Sequence, residues 1–339
     1  MKHEKIITQV ASVCATEPKA LALASLSPKD ATWDKHRSET QDIGSLYDSN
    51  GRYKRLGERM SKCSNLLGFA QQINPDTGEI GIKLRSAIFC KVRSCPVCSW
   101  RRGLRNIARF YERIPLVIEQ FPKAQWLFLT LTVKNPAMGD LRSTLNNMNK
   151  AWKKMIERKT WNIDGYIRTT EITKGTDGNP HPHFHALLLV SPGYFKGGVY
   201  LSQAAWSEIW MECLGVDYMP VVHIQKVKSK SQKAQDAEEN GNVYAALNAA
   251  VAETLKYSIK PSDVIDDKDF LFGLTDQLHK LRFLATGGVL KDFLKEDIED
   301  EEMIVTSEED KEKEEEKDKP KLFFNWKTDE KKYRKRNEQ

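Results

Sequence analysis

Between residues 120 and 290, apolar and polar positions follow two clear periods. In "AQWLFLTLTV" (124–133), β-branched and aromatic residues run together in the pattern of a buried strand. "MGDLRSTLNNMNKAWKKMIER" (138–158) sets Leu141, Leu145, Met148 and Trp152 at helical spacing. "GYIRTTEIT" (165–173) predicts a strand, "KGTDGNP" a turn, and "HFHALLLV" the strand paired with the first. "LSQAAWSEIWMECLG" (201–215) predicts a helix opened by a Ser cap and closed by Gly215. A strand over 219–227, a polar loop, and a helix over 242–260 stopped by Pro261 complete the series. The order β-α-β-β-α-β-α predicts an α+β fold, a ferredoxin-like antiparallel sheet with helices packed against it.

The flanks read differently. Residues 1–50 show no clear periodicity and predict a flexible N-terminal segment. Residues 51–115 are basic and hold a cysteine cluster. The stretch 291–319 carries 15 acidic and six basic residues and predicts a solvated, disordered linker. Residues 320–339 form a basic tail with Phe323, Phe324 and Trp326. Aromatics among cations suit nucleic acid or a protein partner, and a tail that only aids solubility fits as well.

A length of 339 residues allows one large domain or two smaller ones, and 40% hydrophobic residues is ordinary for a globular protein. No stretch is apolar for long enough to span a bilayer. "MKHEKIITQVASVCA", broken by Glu4, Gln9 and Ser12, makes a poor signal peptide, so a cytoplasmic protein is expected. The net charge of +6 conceals an asymmetry. The acidic stretch contributes −9, leaving +15 on the rest of the chain. A body that basic attracts polyanions, nucleic acid first among them.

Three of the seven histidines, His181, His183 and His185, sit at alternate positions of "NPHPHFHALLLV". On a strand they share one face, where neighbouring imidazoles can share an ion. A polar strand edge with hydrogen-bonded histidines is the plainer reading. Glu171 lies on the preceding strand. If the two strands form a hairpin, its carboxylate completes a His-His-carboxylate set that leaves positions open for substrate. In "AETLKYSIK", Glu253 and Tyr257 are four apart and Lys260 follows one turn later. On a continuous helix the three lie side by side, at the margin of the stripe Val243, Leu247, Ala250 and Val251. A tyrosine beside an ion-held phosphodiester can attack it. Taken alone, Tyr257 reads more readily as a core or surface tyrosine than as a nucleophile.

Cys90, Cys95 and Cys98 lie in "CKVRSCPVCSWRR", with Cys63 upstream. A Cys-Pro-x-Cys knuckle suits Zn²⁺, which thiolates bind well, and six cysteines in a reducing compartment point to metal or free thiols rather than disulfides. The module would present Arg93, Arg101, Arg102 and Arg105 to DNA phosphates.

In order, "FLTLTVKN", "EIT…HPHFHALLLV" and "ETLKYSIK" resemble the three motifs of plasmid rolling-circle replication initiators, the Rep proteins of the HUH endonuclease superfamily. The resemblance covers about residues 60–290. It implies the HUH endonuclease fold, preceded by a small cysteine-rich zinc module. It also implies that His183 and His185 hold Mg²⁺ or Mn²⁺, with His181 an extra beyond the minimal motif. Tyr257 would be the nucleophile that leaves a 5′-phosphotyrosine and a free 3′-OH. Glu253 would activate water in the closing step. The partners implied are plasmid origin DNA, double- and single-stranded, with host helicase and polymerase. A single candidate tyrosine argues against the two-tyrosine mechanisms of some relatives. A transposase or conjugative relaxase of the same superfamily remains an alternative, as does a non-enzymatic zinc-dependent DNA-binding regulator. The latter leaves the His strand and the Tyr helix unused.

Overall fold

The computed structural model describes residues 20–73, 78, 80–196, 198–227, 243–256, 258–291 and 321–336, with only the backbone given for 243–246. The helices are α1 Leu23–Leu26, α2 Thr32–Asp48, α3 Lys54–Ser61, α4 Pro96–Gln120, α5 Leu141–Ile156, α6 Gln203–Leu214, α7 Val243–Leu255, α8 Pro261–Ile265 and α9 Lys268–Gln277. The strands are β1 Leu66–Ile73, β2 Ile80–Ala87, β3 Gln125–Thr132, β4 Gly165–Lys174, β5 Pro180–Val190, β6 Val222–Lys226, β7 Leu284–Gly288, β8 Leu322–Lys327 and β9 Lys332–Lys335. Among the described residues, no helix is long and apolar enough to cross a membrane. The described chain divides into two compact units. One holds residues 20–38, Ser64–Ala87 and 321–336, and the other Glu39–Cys63 and 88–291.

The first unit is a four-stranded antiparallel sheet in the order β2-β1-β8-β9. Leu67 pairs with Phe324 and Trp326 with Tyr333. Trp33, Leu67, Phe69, Phe324 and Tyr333 form its buried core. Arg37 stacks over Trp326 at 5.3 Å, and the Tyr333 hydroxyl donates to the Ser64 carbonyl at 2.7 Å. The tail expected at 320–339 is thus structured over 321–336, with Phe324 and Trp326 committed to packing. The acidic linker expected over 291–319 lies, from 292 on, outside the described residues.

Residues 20–50 also differ from the flexible segment expected. Helix α2 buries Trp33, His36, Arg37, Thr40, Ile43 and Tyr47, a stripe at helical spacing. Three of those six positions are polar, which hides the period from a reading of hydrophobicity alone.

The second unit contains the predicted series. Its five-stranded sheet runs β6-β3-β5-β4-β7, with every neighbouring pair antiparallel. Strands β3, β4, β5 and β6 stand in ferredoxin-like order, and β7 extends the edge. On one face, Phe184 packs against Trp152 of α5 and Trp210 of α6, with ring centroids at 6.3 and 6.1 Å. On the other, Ile167, Leu187 and Leu189 meet Phe110 and Ile114 of α4 and Leu247, Val251 and Leu255 of α7. Ser202 caps α6 by accepting from the Ala205 amide, and Gly215 ends it at a φ of 69° that suits glycine.

Two boundaries move. The cysteine segment and the sheet domain were expected to divide near 115–120, but α4 runs through that point, from the Cys95–Cys98 knuckle into the core of the same unit. Residues 64–87, within the expected cysteine module, belong to the other unit.

Candidate metal centres

The β4–β5 ladder sets Glu171 directly opposite His183 and Thr169 opposite His185. All four residues lie on the α7 face, because Ile167, Leu187 and Leu189 of the same parity pack there. The turn between the strands is tight. The Gly175 amide donates to the Asn179 carbonyl at 2.8 Å, and Gly178 takes a φ of 81°.

The Glu171 Oε2 lies 2.9 Å from His185 Nε2 and 3.1 Å from His183 Nε2. All three residues are buried. Each ring is oriented from its far side. His183 Nδ1 donates to the His181 carbonyl at 3.2 Å, and His185 Nδ1 bonds the Thr130 hydroxyl at 3.1 Å. Phe128 stacks on His185 with centroids at 5.4 Å. In this arrangement the Nε2 N–H groups face Glu171; a tautomer with the proton on Nδ1 alone would leave the Nε2 lone pair for a cation. Adjacent ligands about 2.1 Å from an octahedral ion stand about 3.0 Å apart, so the three groups fit a divalent ion.

Helix α7 and the residue after it bring two more charges. Lys256 Nζ is 3.0 Å from Glu171 Oε2 and 2.6 Å from Glu253 Oε1. Glu253 Oε1 lies 3.8 Å from His185 Nε2. Burial raises the Glu171 carboxyl, but hydrogen bonds from His183, His185 and Lys256 outweigh it and hold the group well below the usual carboxylate range. Burial likewise lowers Lys256, and the partners Glu253 and Glu171 more than reverse that, so its ammonium is stabilised. His181 stands at the rim, with Nδ1 2.7 Å from Asn135 Oδ1, and its pKa is lowered by burial and by His183.

The end of α7 departs from the expected helix. It stops at Leu255, not at residue 260. Beyond it, the Ser258 carbonyl accepts the Ile172 amide at 2.9 Å, and Ile259 bridges Ile172 in parallel. The residue preceding Pro261 is disfavoured in helix, and β-branched Ile259 suits the extended pairing. Lys260 is therefore not on the face of Glu253. It is exposed and leads into α8. Tyr257 lies outside the described residues. Lys256 is the charged group that reading by helical face passed over, although its i,i+3 spacing from Glu253 was a signal.

The second candidate centre is the group Cys63, Cys90, Cys95 and Cys98, all buried. Their Sγ atoms stand 3.7 Å (63–95), 3.6 Å (63–98) and 3.6 Å (90–98) apart. Four thiolates 2.3 Å from a tetrahedral ion lie about 3.8 Å from one another, so the set fits Zn²⁺. The Lys91 amide donates to Cys98 Sγ at 3.3 Å, and Thr40 Oγ1 lies 3.5 Å from Cys95 Sγ. Burial opposes ionisation of Cys95, but hydrogen bonds from its three neighbouring sulfurs and Thr40 pull its pKa well below the usual value. Cys90, Cys95 and Cys98 in turn push Cys63 up, as thiols sharing protons at this distance must without a cation between them. Cys213 is buried elsewhere, on α6, as a bystander.

The four arginines separate. Arg101 and Arg105 are 9% and 8% exposed, too enclosed to be offered as a surface for duplex phosphates. Arg93 donates to the Leu281 carbonyl at 2.5 Å and covers the Phe283 ring at 4.2 Å, so it braces a loop. Arg102 is half-buried.

A family model described as a replication protein matches residues 81–334. "Protein rep" of Lactiplantibacillus plantarum is 37% identical over 243 residues, 68% of this chain and 74% of that protein. "Protein rep" of Bacillus amyloliquefaciens is 35% identical over 278 residues, 77% and 79% of the two chains. "Protein rep" of Streptococcus pneumoniae serotype 2 is 30% identical over 294 residues, 84% and 86%. No solved structure gives a significant match. The family-model match takes in Glu171, His183 and His185, three of the four clustered cysteines and the whole five-stranded sheet, and on it the chain belongs to the family of replication proteins.

Proposed function

We propose that this protein initiates rolling-circle replication of a plasmid by nicking one strand at the double-strand origin. The observation that carries the reading is the convergence of Glu171, His183 and His185 on one sheet face, with Glu253 and Lys256 reaching them from α7. Glu171, His183 and His185 would hold Mg²⁺ or Mn²⁺, which polarises the scissile phosphate and offsets its developing charge. Tyr257 attacks that phosphorus. As its oxygen bonds, the bond to the 3′ oxygen breaks, and the phenol proton ends on the leaving hydroxyl. The products are a 5′-phosphotyrosine and a free 3′-OH that primes host polymerase, with host helicase opening the duplex.

Lys256 takes the place expected of Lys260, as the cation beside the reacting centre. Glu253 accepts a proton from water when a second cleavage and strand joining end the round. Zn²⁺ at the four cysteines would be structural, because all four positions are protein sulfur and none is open to substrate.

Nicking of supercoiled plasmid carrying the cognate origin tests the reading. Open circles should form with Mn²⁺ or Mg²⁺, cease with EDTA and return on adding either ion. Nicking that persists in EDTA, or none under any condition, would leave a DNA-binding regulator as the better description.

A further inference from the structure

A cleft of about 990 Å³ opens within the second unit. Its lining draws on several separated stretches of chain. The cysteine knuckle and the start of α4 supply Lys91, Arg93, Arg102 and Arg105. The segment after α9 supplies His279, Lys280 and Arg282, and α3 adds Arg59. Lys256, Thr169 and Ser258 line it beside the Glu171 centre.

The charge of this lining is one-sided. Among the described residues that form it, eight are lysine or arginine and none is aspartate or glutamate. The whole chain is nearly balanced, with 53 bases against 47 acids. A concave wall of one sign focuses potential and concentrates counter-ions. Burial and the charge of Arg102 together lower Arg93 to about 10, as expected of cations crowded without acids between them.

The backbone gives an independent sign. Lys91 and Lys280 adopt φ values of 57° and 59°, in the left-handed region that favours glycine or asparagine. Both line the cleft, and both are exposed. The chain carries a long cation at each of two positions where glycine or asparagine would be easier.

We infer that this cleft holds the phosphate backbone of single-stranded DNA continuing from the scissile phosphodiester, an inference that rests on the proposed nicking activity. Lys256 joins the two sites, since it lines the cleft and lies 3.0 Å from Glu171. Space of this size is of the order that a few nucleotides of one strand occupy. The knuckle that carries the cysteines is therefore a wall of the strand's path and acts through Lys91 and Arg102.

The test is fluorescence anisotropy of a labelled oligothymidylate, about ten nucleotides long, with the full-length protein over a series of salt concentrations. An oligothymidylate carries no origin, so binding is read apart from cleavage. Lys280→Gln with Arg282→Gln alters two exposed side chains, and thermal denaturation confirms folding. The double variant should bind about tenfold or more weakly, and its salt slope should fall by about 1.4, at about 0.7 per lost phosphate contact. Lys153→Gln with Lys154→Gln, exposed on α5, should leave affinity and slope unchanged. Wild-type affinity and slope in the cleft variant would overturn the assignment. So would an equal loss in the α5 control, or duplex competing as well as single strand. Nicking that fails while oligothymidylate binding follows this pattern would sink the nicking reading and not the cleft.

Discussion

Glu171 and His183 face each other across the β4–β5 ladder, and their side chains meet at 3.1 Å. The pairing is a consequence of register, because a slip of one residue would turn every second side chain to the α5–α6 face. Glu171→Gln keeps the shape and removes the charge. Its Mn²⁺ affinity should fall by about 10- to 100-fold, with nicking falling in step. Calorimetric titration reads the affinity, and an unchanged value would place the ion elsewhere.

Lys256 and Lys260 should behave differently. The Lys256 ammonium occupies Glu171 and Glu253, so it competes with a divalent ion for the same carboxylate. Lys256→Ala should bind Mn²⁺ roughly tenfold more tightly, about 1.4 kcal/mol, while nicking more slowly. Lys260→Ala should match the wild type in metal affinity. Titrations giving the reverse order would restore Lys260 to the centre.

Purified protein should carry about one zinc per chain at the cysteines. Cys95→Ser or Cys98→Ser should lose it and melt at a lower temperature, since each removes a ligand from a buried set. Elemental analysis finding no zinc in the wild type would return the four cysteines to buried thiols.

Asp267 supplies a pH-dependent term away from both metal centres. It accepts from Lys174 Nζ at 2.6 Å and caps α9 through the Phe270 amide at 2.9 Å. Those bonds, Lys174 first, lower its pKa from an ordinary 3.8. A depressed carboxyl stabilises the fold above its unfolded pKa, so this contribution is complete above about pH 4 and fades as the pH falls further. Asp267→Ala should cost about 0.5–2 kcal/mol at pH 7 and progressively less in acid. Denaturant unfolding at pH 7 and pH 3 checks it, and an equal cost at both would remove the carboxylate from the explanation.

Much of the sheet domain was legible because its signals are local. Alternation in "HFHALLLV" and "EIT" fixes which side chains share a face, and hairpin geometry brings Glu171 to the histidines. The end of α7 was not legible, because the pairing of Ser258 and Ile259 with Ile172 is a tertiary contact that overrides helical continuation. The first unit was missed for a related reason. Strands β8 and β9 are separated from β1 by more than 200 residues, including the acidic stretch, so Phe324 and Trp326 resemble a free tail until Leu67 and Tyr333 are seen beside them. In α2, buried His36, Arg37 and Thr40 masked the stripe that Trp33, Ile43 and Tyr47 share. The all-cation cleft gathers residues from α3, the knuckle and the segment after α9, and no linear window contains them.

The most direct test of the proposed chemistry is the covalent intermediate. A labelled single-stranded origin oligonucleotide is incubated with protein and Mn²⁺, run on a denaturing gel, and the adduct is digested for peptide mass mapping. The expected result is a shifted band whose nucleotide-bearing peptide contains Tyr257. Tyr257→Phe should bind the oligonucleotide and give no band. An adduct that persists in Tyr257→Phe, or that maps to another residue such as Tyr244, would contradict the assignment of Tyr257 as nucleophile.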